Sequence, residues 1–527
     1  MPGDTAMHEH TMNAADTLLE RAAEPTIASS PAILTKARTV TYAQLDATAC
    51  QYGHALRHLG VGVQDRVLIL LDDRPEMFFV YLGAMKIGAV PVALNLRLSA
   101  SDLDFTISDS DCKLVVVEPD YMELAHEGIL NAGDAAPGLV LSGGALEDAQ
   151  NLDELAASQS DTLQSVQLAP EDMAFWMYTS GTTGTSKAAV HLQKSLVDVG
   201  RYLGSVYGVG PEERIFCSSK LFFAFSLGHC LLGALRLGAT TVLHTGWPSP
   251  EAIAETVDAF RPSVVLSVPT MYRRLLAEHY ADGDGFKAVR CYISAGEQLP
   301  KRLYENWMAV TGRPILEGIG ATEALVMFIA NRPDSEFSGA TGTVLPGTSL
   351  RFVSDDGEDI DGDGVPGVLW VHSDTLAAGY WKQEDQTAFA FKDGWYRTGD
   401  VFTRDADGRY FYQGRDDDML KISGQWVSPG EIDELVLENP KVADAATVGI
   451  SDEKGFTRLA LCLVIADPAA DRDELEAEIS DNLTSNLSVY KCPRRFIYLD
   501  DMPKTATGKI QRFKLRQFAS DQLLRST

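Results

Sequence analysis

The chain has 527 residues, of which 45% are hydrophobic and 23% charged, values typical of a globular protein with a large core. Its 45 basic and 74 acidic side chains give a net charge of −29, which argues against nucleic acid or an anionic membrane surface as partner, because both are polyanions. No apolar run approaches the length that spans a bilayer, and no membrane insertion is expected. Seven scattered cysteines without a C-x-x-C pair, and an N-terminus without the features of a secretory signal, predict a cytoplasmic protein with reduced thiols.

Short apolar runs alternate with helical patterns through the first half of the chain. A capping box at Thr41 and Gln44 predicts the start of a helix, and a further helix is predicted over 76–87. Strands are predicted at 66–71, 89–94, 113–117 and 264–268. This alternation predicts an α/β fold, in which helices cover parallel sheets.

The residue pattern changes from about Gly342, where the apolar segments become shorter and the turns between them richer in glycine. This pattern predicts hairpins and a β-rich subdomain. After Gly414 the chain returns to mixed helix and strand. We therefore predict a large N-terminal domain over 1–415, made of helix-covered sheets plus the β-rich subdomain, and a small α+β C-terminal domain over 416–527.

The segment 178–187, YTSGTTGTSK, follows an apolar strand and is dense in hydroxyl groups, glycine and one cation. Glycine lets the backbone approach a ligand, while hydroxyl and backbone N–H groups donate to phosphate oxygens. Ser186 stands where a Walker A loop has glycine before its lysine. The alternative is a plain surface turn, but the donor density favours a phosphate-binding loop formed by Thr179, Ser180, Gly181, Thr182, Thr183, Gly184 and Lys187.

Together with this loop, four further motifs resemble the signature elements of the adenylate-forming superfamily, which contains acyl- and aryl-CoA ligases, luciferases and peptide-synthetase adenylation domains. The motifs are GIGATE at 318–323, YRTGD at 396–400, YQGRDD at 412–417 and PKTATGK at 503–509. They follow the family's order over nearly the whole chain. The resemblance implies that a carboxylic acid attacks the α-phosphate of ATP, with Mg²⁺ as cofactor, and forms an acyl-adenylate.

The resemblance also implies roles for single residues. Lys509 would bridge the substrate carboxylate and the α-phosphate, and so neutralise two anions that repel each other. Glu323 would bind Mg²⁺, to which hard oxygen ligands are suited, and Thr322 would donate to the phosphate. Asp400 would accept both ribose hydroxyls, and Arg415 would contact ribose and phosphate. The remaining residues implied at the nucleotide are Gly296, Glu297, Glu317, Gly318, Ile319, Gly320 and Tyr412. For Gly296 and Glu297 the alternative is a turn at a strand end that has only an architectural role.

The acceptor of the acyl group is implied by the segment after Arg415, which is similar to that of benzoate-type CoA ligases. There Asp417 is the hinge about which a mobile C-terminal domain would turn, taking Lys509 out of the site and bringing in Ser423 and Gly424. Gly424 would let a pantetheine arm pass. Coenzyme A is the favoured acceptor, and the alternative is an aryl-AMP ligase that loads the phosphopantetheine of a carrier protein.

The segment 220–229, KLFFAFSLGH, resembles the acyl pocket of the same ligases. It contains no aspartate that could pair with an amino-acid ammonium, which favours an acid without one. Candidate contacts to an aryl ring are Ala224, Phe225, Gly228, His229, Gly318 and Val326. Phe225 and Val326 stand where the benzoate pattern has tyrosine and histidine, and His229 could be a polar contact or a core residue. We predict an AMP-forming aryl-acid:CoA ligase of benzoate type, with its ring substituents and oligomeric state, a homodimer included, left open.

Overall fold

The computed structural model describes residues 11–130, 136–147, 149–180, 186–354, 357–416, 418–422, 425–451, 457–467, 471–504 and 510–525. The chain divides into two compact units. The first comprises Met1–Leu350 and Trp370–Arg397, and the second comprises Arg351–Leu369 and Thr398–Thr527. The boundaries of the two units therefore fall within the strands Thr348–Val353, Gly367–Ser373 and Trp395–Arg404. The predicted boundary at 415/416 stays a prediction.

Two largely parallel sheets form the first unit. One sheet has the strand order Gly379–Tyr380, Ser186–Leu192, Met173–Ser180, Val90–Ala93, Arg66–Leu70, Leu114–Val117 and Gly138–Leu141, and its first two neighbouring pairs are antiparallel. The other has the order Thr343–Val344, Met327–Ala330, Ile315–Gly320, Cys291–Ser294, Val264–Ser267, Arg214–Cys217, Thr240–Val242, Pro31–Leu34 and Thr39–Thr41. Its central pairs are parallel, as the alternation of strands and helices predicted.

Helices connect and cover these strands. The capping box forms as predicted: the Gln44 amide N–H donates to Thr41 Oγ1 at 3.2 Å, and the Thr41 amide N–H donates to Gln44 Oε1 at 2.9 Å. The α-helices of the first unit are Ala14–Leu18, Pro25–Ala28, Tyr42–His58, Pro75–Lys86, Ala100–Ser110, Met122–Leu130, Leu152–Ala157, Arg201–Ser205, Ala224–Ser226, Ala234–Leu237, Pro250–Phe260, Pro269–Ala277, Asp284–Ala288, Lys301–Thr311 and Glu384–Ala390. A π-helix spans Leu227–Gly233, and 3₁₀ turns span Glu20–Ala23, Pro119–Tyr121, Gln193–Leu196, Tyr280–Asp282 and Thr322–Ala324.

The second unit has its own small core. Val442–Ser451 pairs antiparallel with Thr457–Ile465, which pairs in parallel with Arg495–Tyr498. The helices Pro429–Leu437, Arg472–Asn486 and Arg512–Arg525 and the 3₁₀ turn Val489–Lys491 belong to the same unit, together with the strands Tyr410–Arg415, Leu420–Ile422 and Gln425–Val427. Buried side chains such as Val427, Ile432 and Leu461 form its interior. This arrangement agrees with the α+β character predicted after Gly414.

The structure also bears on membrane-spanning helices and on the state of the cysteines. No helix among the described residues combines the length and the apolarity that a membrane span requires. All of the cysteines are free, and each is buried except the half-buried Cys492. Burial raises the pKa of several of these thiols, to about 12 for Cys291, which favours the protonated thiol at neutral pH.

Candidate active site

The predicted phosphate loop joins two antiparallel strands of the first unit. Met173–Ser180 pairs with Ser186–Leu192, and the register places Lys187 opposite Thr179. The Lys187 ammonium lies 4.0 Å from the centre of the Tyr380 ring. The loop residues Gly181, Thr182, Thr183 and Gly184, and the side chain of Ser180, lie outside the described residues. The hairpin nevertheless brings the flanking Thr179 and Lys187 side by side, as a phosphate loop requires.

The GIGATE motif occupies the end of the strand Ile315–Gly320 and the turn that follows it. This strand pairs antiparallel with Met327–Ala330. A Cβ atom at Gly320 would lie 2.7 Å from the carbonyl oxygen of Val326, so only glycine allows the two strands to approach here. The Thr322–Ala324 turn therefore sits inside a tight β-hairpin, which restricts its position.

Glu323 is buried and held through both its side chain and its backbone. The Tyr380 hydroxyl donates to Glu323 Oε1 at 2.6 Å. The Ala377 amide donates to the Glu323 carbonyl oxygen at 2.8 Å. Both Glu323 and Tyr380 are 7% exposed. The carboxylate that the sequence proposed as the magnesium ligand thus has a defined orientation, and Tyr380 was not identified from the sequence.

His191 holds the same turn from another side. Its ring stacks on Phe175 with centroids 4.7 Å apart, and Nε2 lies 3.0 Å from the carbonyl oxygen of Thr322. Burial lowers the pKa of His191 to about 4, so the imidazole is neutral at pH 7 and Nε2–H donates to that carbonyl. Thr375 Oγ1 donates to the Ala324 carbonyl at 2.9 Å. The sequence carried no local signal for either contact, because both partners are distant in the chain.

The segments proposed around the adenine lie at the ends of neighbouring parallel strands. Cys291–Ser294 pairs with Ile315–Gly320, with Ser294 opposite Glu317. Glu317 is buried and accepts a hydrogen bond from the Leu299 amide at 3.2 Å. The carboxyl ends of parallel strands are where nucleotides bind in α/β sheets. Gly296 and Glu297 are exposed just beyond this edge, and Ile319 and Gly320 are half-buried and exposed, respectively.

The segment proposed for the aryl ring begins with the single helical turn Ala224–Ser226 and continues as the π-helix Leu227–Gly233. π-Helices are rare in proteins, and those that occur often lie at functional sites. Phe225 is half-buried, with its ring centroid 5.0 Å from that of His229. His229 Nδ1 lies 2.6 Å from the Phe225 carbonyl oxygen, and Nε2 is hydrogen-bonded to the Tyr202 hydroxyl.

His229 is 1% exposed and both of its ring nitrogens have partners within the protein. Burial lowers its pKa to about 4, so the neutral ring donates from Nδ1 and accepts at Nε2 from the Tyr202 hydroxyl. Of the two interpretations that the sequence left open, this geometry favours a core residue. A direct polar contact between His229 and a substrate would require one of these bonds to break.

Gly228 joins the π-helix to the GIGATE hairpin. Its ideal Cβ would lie 2.6 Å from the Leu325 carbonyl oxygen. Leu325 has a φ of 66° and a ψ of −39°, and the Val326 amide donates to the Ala324 carbonyl at 2.7 Å. This is a γ-turn of the rare, strained kind, and such strain clusters at functional sites. The half-buried Val326 is thereby placed beside the segment that carries Phe225.

A buried ion pair anchors the start of the same segment. Lys220 Nζ lies 2.5 Å from Asp72 Oδ1 and donates to the His244 carbonyl at 3.0 Å. The Leu221 amide donates to Asp73 Oδ1 at 3.0 Å. Burial raises the pKa of Asp73 to about 6. The entry to the 220–229 segment is therefore fixed by charges that the sequence analysis missed.

The second unit contributes a separate cluster of proposed nucleotide contacts. Asp400 and Arg415 face each other on antiparallel strands, and Arg415 Nη1 lies 3.1 Å from Asp400 Oδ1 and 2.9 Å from the Thr398 carbonyl oxygen. Tyr412 lies beside Phe402, with centroids 5.4 Å apart, and burial raises its pKa. Asp400 and Arg415, each of which was predicted to contact the nucleotide, thus form an ion pair within this unit. Asp417, Ser423, Gly424 and Lys509 lie outside the described residues.

The acidic side chains of the described site fit a metal ion that is bound together with a substrate, but not one held by the protein alone. Within the ranges that the structure describes, no group of three or more His, Cys, Asp or Glu side chains could hold a metal ion. Glu323 is a single buried carboxylate beside the phosphate-loop hairpin, and Mg²⁺ is commonly bound by one or two carboxylates together with substrate phosphates. The residues therefore fit a magnesium ion that arrives with a nucleotide.

A hairpin that carries the predicted phosphate loop, an acidic turn beside it and two largely parallel sheets form the arrangement expected of an adenylate-forming enzyme. The chain belongs to the AMP-binding enzyme family, whose model matches residues 19–381. The model of the AMP-binding enzyme C-terminal domain matches residues 431–509.

Relatives narrow the class further. The chain is 44% identical to a 3-hydroxybenzoate–CoA ligase of Aromatoleum sp. (strain CIB), over 98% of this chain and 99% of the relative. It is 36% identical to a benzoate–CoA ligase of Thauera aromatica, over 96% and 95% of the two chains. Its fold matches the crystal structure of the anthranilate CoA ligase AuaEII in complex with anthranoyl-AMP with a TM-score of 0.90 at 32% identity, covering 97% of this chain and 98% of that chain.

These findings confirm the predicted superfamily, its benzoate-type branch and the α/β fold class with a large and a small unit. They also confirm the predicted reaction class, an ATP-dependent, AMP-forming aryl-CoA ligase. The carrier-loading alternative is not favoured.

Proposed function

We propose that this chain activates a ring-hydroxylated benzoate and transfers the aroyl group to coenzyme A. Two relatives support the hydroxyl group: the 3-hydroxybenzoate–CoA ligase already described, and a 3-hydroxybenzoate–CoA/4-hydroxybenzoate–CoA ligase of Thauera aromatica at 40% identity over 96% of this chain. The apolar Phe225 and Val326 beside the Glu323 turn suit a flat ring. No aspartate in the 220–229 segment could pair with an ammonium group.

The structural observation that supports an aryl-acid site beside the Glu323 turn is the junction between Gly228 and Leu325. It places the candidate ring-contacting segment against the strained turn that immediately follows Glu323. A ring held by Phe225 and Val326 would therefore lie close to the turn that carries Glu323. Holding two reactants in this way converts their encounter into an intramolecular step. Phe225, Val326, Ala224, Gly228 and Gly318 keep their proposed roles at the ring.

In the first half-reaction, a carboxylate oxygen of the acid forms a bond to the α-phosphorus of ATP, and the bond to pyrophosphate breaks. Lys509 would neutralise the two approaching anions, and Thr322 would donate to the phosphate. Mg²⁺ held by Glu323 would supply further neutralisation of the phosphate charge. Asp400 and Arg415 would bind the ribose, with Tyr412 next to them.

In the second half-reaction, the thiolate of coenzyme A attacks the carbonyl carbon of the aroyl-adenylate, and AMP leaves. Movement of residues 416–527 about Asp417 would replace Lys509 by Ser423 and Gly424 between the two steps, because one site must handle pyrophosphate and then a thiol. A cytoplasmic location and a homodimer also stay predictions.

The proposal is tested with a panel of benzoate, the three monohydroxybenzoates, anthranilate, cinnamate and a short fatty acid. AMP release is measured with coenzyme A, and separately with a phosphopantetheinylated carrier protein, as the acceptor. We expect the highest kcat/KM for a monohydroxybenzoate with coenzyme A. A preference for benzoate, anthranilate, cinnamate or the fatty acid, or for the carrier protein as the acceptor, would contradict the proposal.

The proposed role of Lys509 has its own test. Lys509→Ala should nearly abolish pyrophosphate release from ATP and acid, yet leave largely intact the conversion of supplied aroyl-adenylate to thioester. Equal losses in both half-reactions would contradict the exchange of Lys509 for the 423–424 loop.

A further inference from the structure

We propose that Tyr380 is a positioning residue that orients Glu323 through its hydroxyl group and Lys187 through its ring face. The inference rests on the proposed function, since it assumes that Glu323 binds Mg²⁺ and that Lys187 faces the phosphates. One side chain would thus orient both the anion that binds the metal and the cation that faces the phosphates.

The contact with Glu323 is short and buried. The Tyr380 hydroxyl lies 2.6 Å from Glu323 Oε1, and both side chains are 7% exposed. A hydroxyl that donates to a carboxylate makes a charge-assisted hydrogen bond, which is about twice as strong as a neutral one. A glutamate has three rotatable side-chain bonds, so this bond removes freedom that the carboxylate would otherwise lose on binding a metal.

Tyr380 can act in this way because its own position is fixed by the strand that carries Lys187. Gly379–Tyr380 pairs antiparallel with Ser186–Leu192, with Tyr380 opposite Ala189. The Tyr380 amide donates to Thr387 Oγ1 at 2.9 Å, and its ring centroid lies 5.6 Å from that of Phe391. The ring is therefore held from the backbone side and from one edge.

Lys187 lies over the face of the same ring, with Nζ 4.0 Å from its centre. A cation over an aromatic face is attracted by the negative charge density of the ring. Lys187 is two residues from Ala189, the backbone partner of Tyr380, so the strand pairing places the ammonium at the ring. The ring face thus orients the cation, while the hydroxyl orients the anion.

This arrangement is expected to affect the affinity of the site for its metal ion. Donors and ligands that are oriented before the substrate arrives cost no reorganisation when it binds. Removal of a group that hydrogen-bonds to a metal ligand typically weakens metal binding by about 10- to 100-fold. Tyr380 is therefore expected to contribute to metal affinity without touching metal or nucleotide.

The test uses Mn²⁺ as an EPR-visible probe of the metal site, titrated into the full-length protein with ATP and without acid. Tyr380→Phe removes the hydroxyl group and keeps the ring under Lys187. Its Kd for Mn²⁺ should rise by at least about 10-fold, while binding of metal-free ATP stays within about twofold. Tyr380→Leu removes the ring as well and should also weaken the binding of metal-free ATP.

Tyr42→Phe is the matched control. Tyr42 is fully buried, and its hydroxyl donates to the Ala239 carbonyl oxygen at 2.6 Å, so the variant loses a buried tyrosine hydrogen bond of the same length in another part of the first unit. Its Kd for Mn²⁺ should stay within about twofold of the wild-type value. Thermal unfolding of both variants shows whether a loss of stability accompanies the change.

Glu323→Gln separates failure of the inference from failure of the proposed function. If Glu323→Gln weakens Mn²⁺ binding and Tyr380→Phe leaves it within twofold of wild type, Tyr380 is a core tyrosine and the inference is wrong. If Glu323→Gln leaves Mn²⁺ binding unchanged, the proposed metal role of Glu323 is wrong, and the inference falls with it.

Discussion

Gly228→Ala tests the junction on which the proposed substrate position depends. The added Cβ would lie 2.6 Å from the Leu325 carbonyl oxygen, about 0.8 Å short of the 3.4 Å at which ordinary van der Waals contact begins. Leu325 cannot yield easily, because its φ of 66° places it in a γ-turn between Ala324 and Val326. The clash must therefore move either the π-helix or the strained turn.

The expected cost follows from this overlap. Overpacking of a buried site by one methyl group costs about 1–3 kcal/mol, and we expect the free energy of unfolding in urea to fall by that amount. Displacement of Val326 and Phe225 should raise the KM for the aromatic acid at least fivefold, since 1 kcal/mol corresponds to about a fivefold change in binding. Pyrophosphate release with either substrate varied measures both KM values, and the KM for ATP should rise less.

Gly204→Ala is the matched control, because Gly204 also lies in a helical segment of the first unit. Its Cβ would approach Leu237 Cδ2 at 3.2 Å, the movable end of a side chain. We expect unfolding to change by less than about 1 kcal/mol and the KM for the acid to stay unchanged. If Gly228→Ala behaved like Gly204→Ala in both assays, the junction would not determine the position of the substrate.

Three further predictions concern the buried side chains of Lys220, His229 and Asp400. Lys220→Met leaves the Asp72 carboxylate buried without its cation and should lower the free energy of unfolding by about 3–5 kcal/mol in urea titrations; a wild-type midpoint would refute this. The pKa of His229 is lowered to about 4 in the folded state, so its contribution to stability is present above pH 6.5 and is lost as the pH falls towards 4. His229→Gln should therefore reduce the loss of unfolding free energy between pH 7 and pH 4.5 by up to about 2 kcal/mol, measured by urea titration at each pH, and an unchanged pH dependence would argue against the neutral core histidine. Asp400→Asn should raise the KM for ATP about tenfold while the KM for the acid changes less than twofold, and equal changes would contradict a ribose contact for Asp400.

Much of the fold and of the candidate site could be predicted from the sequence, because the signals are local. Turn glycines, hydroxyl-rich loops and capping residues depend on neighbours within a few positions. Thr41 and Gln44 form their capping box as predicted, and the strand predicted at 113–117 is observed as Leu114–Val117. Asp400 and Arg415 were proposed for one site from separate motifs, and strand pairing brings them together within the second unit.

Other features depend on the order of strands in the sheets, which spacing in the sequence does not reveal. Tyr380 reaches Glu323 across 57 positions, and Lys220 reaches Asp72 across 148. His229 shows the same division: its sequence context allowed either a polar contact or a core residue, and only the packing of Tyr202 and Phe225 around it favoured the second. The sequence by itself thus determined which chemical groups are available and the reaction class. The tertiary structure decided which side chains hold those groups in place, because burial and hydrogen-bond partners arise only when distant segments meet.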